Sequence, residues 1–333
     1  FSSTPPVEAI YSLMSIFMTD FEDGKTRRLA TWDISRAHFM GTAARQLFLQ
    51  LPEEDQNLPG DTEPMAGRLL KSMYGTQDAS KIFQDDYQGY LRQECAEFSR
   101  LCPSIFKISS RGLLGAVHGD DFMVVGEPEN LKWFDEVLNR RYTARWENPL
   151  GDGYGEMFFL NRLVRYIPDG ADGPTLEIEA DARHAEILMK EFNFDDKTKG
   201  SDIPEEKMSQ SELIDSERQP ALEQKQVTMF RSMVMRMAYM SVDRPDLCHV
   251  VRSLASSMKN PKMVDWLRLK KAVRYLIKQP YLKRIFKLQN KKDLRVEAWS
   301  DSDWAGDLKT RRSTTGSVVK VGTHTVLVKG ASQ

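Results

Sequence analysis

The sequence predicts an α+β chain: an antiparallel sheet with helices on one face, then an all-helical segment, then a short run of strands. Three observations carry this. LLGAV (113–117) and FMVV (122–125) are strand-length apolar runs flanking His118, Gly119, Asp120 and Asp121, the pattern of a tight β-hairpin with Gly in its turn. Apolar residues recur at helical spacing on either side of it, over 78–100 and 129–142. From Val227 to Gln279 the pattern is helical throughout, in three pieces broken at Arg244-Pro245 and Asn260-Pro261.

Taken in order, residues 5–19 have helical spacing through Val7, Ile10, Leu13 and Phe17, and LATWDI (29–34) follows as a short apolar strand that delivers Asp33 at its end. A carboxylate there stands over the edge of a sheet. After a turn at Gly41, QLFLQL (46–51) reads as another strand. The helix predicted over 78–100 carries Ile82, Phe83, Tyr87, Tyr90, Leu91 and Phe98 along one side. The next begins after Pro128 and packs through Leu131, Phe134 and Leu138. Residues 157–180 read as a further hairpin around Pro168, Asp169, Gly170 and Gly173, and 181–192 as a helix. The stretch 195–225 is polar with almost no apolar periodicity, the composition of an extended linker. In the helical segment, Met229, Met233, Met237 and Met240 recur at spacings of three and four and read as adaptable core filling. VEAWSDSDWAGD, SVVKV and TVLVK close the chain as three short strands.

At 333 residues, 41% hydrophobic and 29% charged, the chain is long enough for two domains with a core each. Three cysteines, Cys95, Cys102 and Cys248, have no metal-ligand or paired spacing, which argues against a disulfide framework or zinc site and for a reducing, intracellular setting. No apolar run approaches the ~18 residues of a membrane span, and the start lacks a signal-type core, so no membrane partner is predicted. A start inside an amphipathic run without Met predicts an excerpt of something longer. The net charge is only −1, but it is unevenly spread. Residues 177–223 carry 14 Asp and Glu against 6 Lys and Arg, whereas 262–292 carry 11 Lys and Arg against the single acid Asp265. The second tract predicts a nucleic-acid backbone contact through Arg268, Lys271, Arg274 and Lys278, three or four apart on one possible helix face; a merely solvated face is the alternative.

Asp33, Asp120 and Asp121 are the candidate catalytic residues. Hard Mg²⁺ ions are held by very few carboxylates plus substrate phosphate oxygens, and strand-borne acids can supply that. No Walker loop or other phosphate-cradling glycine run is present. An Asp-Asp pair in a hairpin is by itself ordinary turn chemistry, so its neighbours decide.

Those neighbours carry a resemblance. WDISRAHFMG (32–41) with LFLQLPEE (47–54), GRLLKSMYGTQDASKIF (67–83), AVHGDDFMVVG (116–126), MFFLNRLVRY (157–166), the region from FRSMV to AVRYL (230–276) and AWSDSDWAGDLKTRRSTTGSVV (298–319) resemble, in family order, blocks of copia-type retrotransposon Pol polyproteins. The resemblance implies a reverse-transcriptase palm at 1–194, a polar linker at 195–225, a helical thumb or connection at 226–292 and the N-terminal part of a ribonuclease H-like sheet at 293–333. It implies that Asp33 and Asp120 hold the polymerase metals, Mg²⁺ or Mn²⁺, with Asp121 beside them, and that Asp301 is the first ribonuclease H carboxylate. Asp303 and Asp307 read as surface acids. The implied partners are an RNA or DNA primer-template, deoxynucleoside triphosphates and the remainder of the polyprotein.

Departures from the family pattern cluster near the expected site. His118 and Gly119 replace Tyr-Val, Gln77 and Asp78 replace Lys-Gln in a substrate-binding segment, and Asn161 replaces a Gly. His38 stands where a Phe or Tyr normally blocks a ribose 2′-hydroxyl. Two alternatives therefore stay open: an inactive relic that still binds nucleic acid, and an unrelated carboxylate enzyme.

Overall fold

The computed structural model describes residues 2–56, 65–181, 183–195, 197–206, 218–306 and 311–333. Its contacts divide into two compact units, Phe1–Phe17 with Phe21–Gly155, and Met18–Asp20 with Glu156–Gln333. Both mix helices with antiparallel sheet. Among the described residues no helix is long and apolar enough to cross a membrane.

The first unit is built on α1 (Val7–Phe17), β1 (Arg28–Ile34), the ribbon of β2 (Phe48–Gln50) and β3 (Ala66–Arg68), α2 (Ala79–Gln93), β4 (Glu97–Phe98), β5 (Ile105–Ile108), β6 (Leu113–His118), β7 (Asp121–Gly126), α3 (Pro128–Asn139) and β8 (Ala144–Trp146). Its main sheet has the order β4-β5-β6-β7-β1-β8, antiparallel at each pairing. Alternate residues of β1 and β7, among them Trp32, Phe122 and Val124, pack with Phe83, Tyr87 and Leu91 of α2 and Phe134 of α3. Trp32 anchors β1: it stacks on Trp146, meets Phe134 edge-on at 5.2 Å, and donates its Nε1–H to Asp135 at 3.0 Å.

Two expectations need correction. Helices on one face alone do not describe this sheet, because Leu29, Met123 and Val125, of the opposite parity, are buried too and α1 packs against these strands. Unbroken apolar runs such as FMVV are what a strand covered on both faces requires. The helix expected over 78–100 stops at Gln93; Cys95 turns into the left-handed region at φ 64°, and Phe98 joins a strand opposite Phe106. Phe98 lies seven residues after Leu91, so its apolar spacing suits a helix, but its ring packs 5.7 Å from Phe106.

The second unit contains β9 (Gly155–Phe159), β10 (Arg162–Ile167), β11 (Thr175–Glu179), α4 (Arg183–Glu191), α5 (Gln224–Ser241), α6 (Cys248–Ser256), α7 (Met263–Lys278), β12 (Lys283–Lys287), β13 (Val296–Ser302), β14 (Thr314–Val321) and β15 (His324–Ser332). The sheets run β9-β10-β11-β12 and β13-β14-β15. The two-residue turn between β9 and β10 sets Leu160 and Asn161 at φ 49° and 61°. Asn tolerates that conformation better than most residues, which suits it to a position where the resembling family carries Gly. Helices α4 to α7 share one core in which Met233, Met237 and Met240 are buried, while Met229 is partly buried at its margin. Arg244, before the helix-breaking Pro245, is 2% exposed; it donates to Asp246 and to the carbonyls of Gln279 and Pro280, so a buried charge is fully occupied. Residues 196 and 207–217 of the expected linker, and Asp307, lie outside the described residues.

Candidate functional site

The β6–β7 hairpin closes in two residues, since His118 pairs with Asp121. Gly119 takes φ +68° at the first turn position, where a side chain would be strained. On its other side β7 pairs with β1 in a register that sets Asp33 directly opposite Asp121, and the carbonyl of Asp120 accepts the Ile34 N–H at 3.1 Å. The structure therefore brings Asp33, Asp120 and Asp121 to one edge of one sheet.

The electrostatics match that crowding. The Asp121 carboxyl is pushed up to about 6, by its burial first and then by Asp120, Asp33 and Glu147. Like charges directly opposite each other weaken a strand pair, so fold stability alone does not select this arrangement. Sequence reasoning missed two residues beside these acids, Arg145 within β8 and Glu147 just after it. Arg145 lies opposite Asp33 on the side away from Asp121. Glu147 donates its N–H to the Thr31 carbonyl at 3.1 Å and accepts from the Thr31 hydroxyl at 3.4 Å. The alternation of Ala144, Arg145 and Trp146 was the available signal, but only pairing with β1 gives it meaning.

Among the described residues, no group of three His, Cys, Asp or Glu side chains is gathered as a ready metal cage. The acids at the strand edge supply hard oxygen donors and an excess of negative charge, which suits a cation completed by substrate oxygens. His38 lies in a 3-10 turn, Ala37–Phe39, just after β1. Its ring is 4.3 Å from that of Tyr74, and it lines a cavity of about 110 Å³ that also touches His118, Gly119 and Ser80. Among the described residues, its buried Nδ1 has no hydrogen-bond partner. Gln77 is exposed, and Asp78 is engaged by Arg45 at 3.3 Å rather than by the acid cluster.

The remaining predicted residues belong to the second unit. Asp301 is exposed on the edge strand β13, opposite Gly316 of β14. Asp303 accepts the Thr314 N–H. Arg268, Lys271, Arg274 and Lys278 all lie on α7, but not as free cations. Arg268 pairs with Glu205 and with Asp265, Lys271 with Glu206, and Lys278 with Asp202 at 2.6 Å. The Arg274 guanidinium lies 5.8 Å from the Phe194 ring centre.

No known family profile matches the chain. It is 25% identical over 302 residues to the retrovirus-related Pol polyprotein from transposon RE2 of Arabidopsis thaliana, covering 88% of this chain and 19% of that protein. The corresponding polyprotein from transposon RE1 of the same plant is 24% identical over 306 residues, again 88% of this chain and 19% of the relative. An uncharacterised mitochondrial protein of Arabidopsis thaliana is 37% identical over 97 residues, 29% of this chain and 40% of that one. The chain thus spans about a fifth of the polyproteins it matches. The copia-type Pol resemblance carried by the sequence blocks agrees with these relatives.

Proposed function

We propose that this chain, a relative of retrotransposon Pol polyproteins, carries the polymerase site of such a protein: RNA-directed DNA synthesis by two-metal nucleotidyl transfer on a primer-template. The observation that carries the reading is the register of Asp33 against Asp121, with Asp120 in the adjoining turn and the Asp121 carboxyl raised by its neighbours. On this reading the first unit's sheet is a reverse-transcriptase palm, helices α5 to α7 are the thumb or connection, and β13 to β15 begin a ribonuclease H-like sheet with Asp301 as its first acid.

Asp33 and Asp120 would hold Mg²⁺ or Mn²⁺, with Asp121 supporting them. When bound, the ions would supply Lewis acidity at the triphosphate and at the primer 3′-hydroxyl. The chain's own part is positioning. Trp32, fixed by Trp146, Phe134 and Asp135, holds β1 so that Asp33 stays at the edge, and the Ile34–Asp120 hydrogen bond ties the hairpin turn to it. His38, beside the turn, would face the sugar of the incoming nucleotide. Near neutral pH Asp121 is mostly ionised; below about 6 it takes up a proton and donates less charge to the cluster.

Mn²⁺ titration followed by NMR tests the site without requiring turnover. Broadening should appear first at the backbone amides of residues 33, 120 and 121. Uniform or absent broadening at those positions would remove the metal assignment. Duplex binding without primer extension by a polyprotein carrying this segment would instead favour the inactive binder.

A further inference from the structure

Residues 201–206, SDIPEE, lie along α7 within the second unit. The Ser201 N–H donates to the Arg274 carbonyl at 3.1 Å, and at Gly200 a Cβ would fall 2.6 Å from Cγ of Lys278, so the backbone itself approaches the helix closely. From there the segment runs antiparallel to the helix. Asp202 meets Lys278 near the helix C-terminus, and Glu205 and Glu206 meet Arg268 and Lys271 further toward its start. Lys271 and Lys278 are two turns apart, about 10.5 Å of rise, and the four backbone steps from Asp202 to Glu206 could span at most ~14 Å. The hexapeptide, bent at residues 202–204, is therefore long enough to reach the cations that a run of backbone phosphates would have to reach.

The ion pairs are not equivalent. The Glu205 side chain is only 9% exposed and takes both Arg268 and His249, the latter at 3.0 Å; those partners outweigh its burial and hold its carboxyl below the ordinary range. Asp202 and Glu206 are 85% and 73% exposed. Exposed pairs contribute little and exchange readily, whereas a desolvated pair with several hydrogen bonds does not. The segment is thus pinned through Glu205 and the Ser201 backbone, and its exchangeable pairs are those of Asp202 and Glu206.

We propose that residues 201–206 form an acidic strap that occupies the cationic face of α7, with Asp202 and Glu206 standing in for nucleic-acid phosphates until a duplex displaces them from Lys278 and Lys271. This rests on the reading of α7 as a nucleic-acid-binding face. The strap sets a threshold: a polyphosphate backbone, presenting charges in series, outcompetes two exposed carboxylates, while an isolated anion does not. The displaced carboxylates take up salt cations again, offsetting part of the counterion release from the duplex, so the unmodified protein shows a shallow salt dependence.

The test is Asp202→Asn with Glu206→Gln in the full chain, with affinity for an RNA:DNA hybrid duplex measured by fluorescence anisotropy across a salt series. Both positions are exposed, and circular dichroism verifies folding. Binding at 0.1 M salt should tighten about five- to tenfold, and log K against log salt should steepen by about one to two units, near 0.9 for each freed phosphate contact. Adding duplex to the unmodified protein should also speed hydrogen exchange of the Ser201 amide. Adding Lys271→Glu and Lys278→Glu to the amide variant separates the failures. Unchanged affinity in the amide variant, with loss on charge reversal, keeps α7 as the binding face and overturns the strap. Affinity unchanged in both overturns the binding face and the strap with it.

Discussion

At the β1–β7 edge carboxylates crowd one another and Asp121 is pushed up to about 6, whereas on α7 the chain's own acids meet its cations and hold Glu205 and Asp202 below their ordinary range. Both regions are dense in charge, yet they store it oppositely. The acid edge is undercompensated, so it gains from any cation that arrives. The cationic face is compensated, so an arriving anion must replace a partner already present. Functional charge is therefore recognised from what surrounds it rather than from its density along the sequence.

The comparison breaks first at activity. Asp33→Asn or Asp120→Asn, placed in a polyprotein competent for primer extension, should lower the extension rate by on the order of 10³-fold, because losing a metal carboxylate removes several kcal/mol of transition-state stabilisation. Extension within tenfold of the parent would show that the acid edge is not the reacting centre.

The two regions also titrate in opposite directions. Glu205→Ala should lower stability by about 2 kcal/mol in urea unfolding, less than the roughly 3–5 kcal/mol of a broken buried pair because Arg268 keeps Asp265. Its folded carboxyl sits below the ordinary 4.5, so its stabilisation is present above that value and is lost as pH falls through the folded pKa. Asp121→Asn should instead raise stability by about 1–2 kcal/mol above pH 6, a figure reduced for the screening of a half-buried group. The sign follows from its raised pKa: the neutral acid imposes no penalty below its ordinary 3.8, and stability is lost as pH rises from there through about 6. Saturating Mg²⁺ should shrink the Asp121 effect and leave the Glu205 effect unchanged. Equal responses to Mg²⁺ at both positions would erase the distinction between the regions.

The smallest expected change is at His38. Among the described residues its buried Nδ1 lacks a partner, and its Nε2 makes only a long 3.4 Å contact with the Ser80 hydroxyl, so His38→Phe should stabilise the first unit by about 1 kcal/mol by removing a desolvated polar atom. A thermal melt that falls with this substitution would mean that the Nε2–Ser80 contact outweighs the unpaired Nδ1.

Local chemistry made much of this protein legible in advance. The 113–126 hairpin followed from two apolar runs around a Gly turn, and helices α5 to α7 followed from period and from Pro245 and Pro261, because each signal acts within a few residues of chain. The methionine row was likewise legible as core, since burial of one helix face imposes its own spacing. Other features needed partners distant in sequence. Register alone decided that Asp33 faces Asp121 and that Arg145 flanks it, and a one-residue slip would have turned these side chains to the other face. The end of α2 depended on Phe106 recruiting Phe98 into a strand. Likewise, the acidic and basic tracts were visible as separate excesses of charge, but only folding laid Asp202, Glu205 and Glu206 on α7. Charge in a sequence has a sign and a position, whereas its effective strength depends on the distance to its partner and the water between them, and tertiary structure sets both.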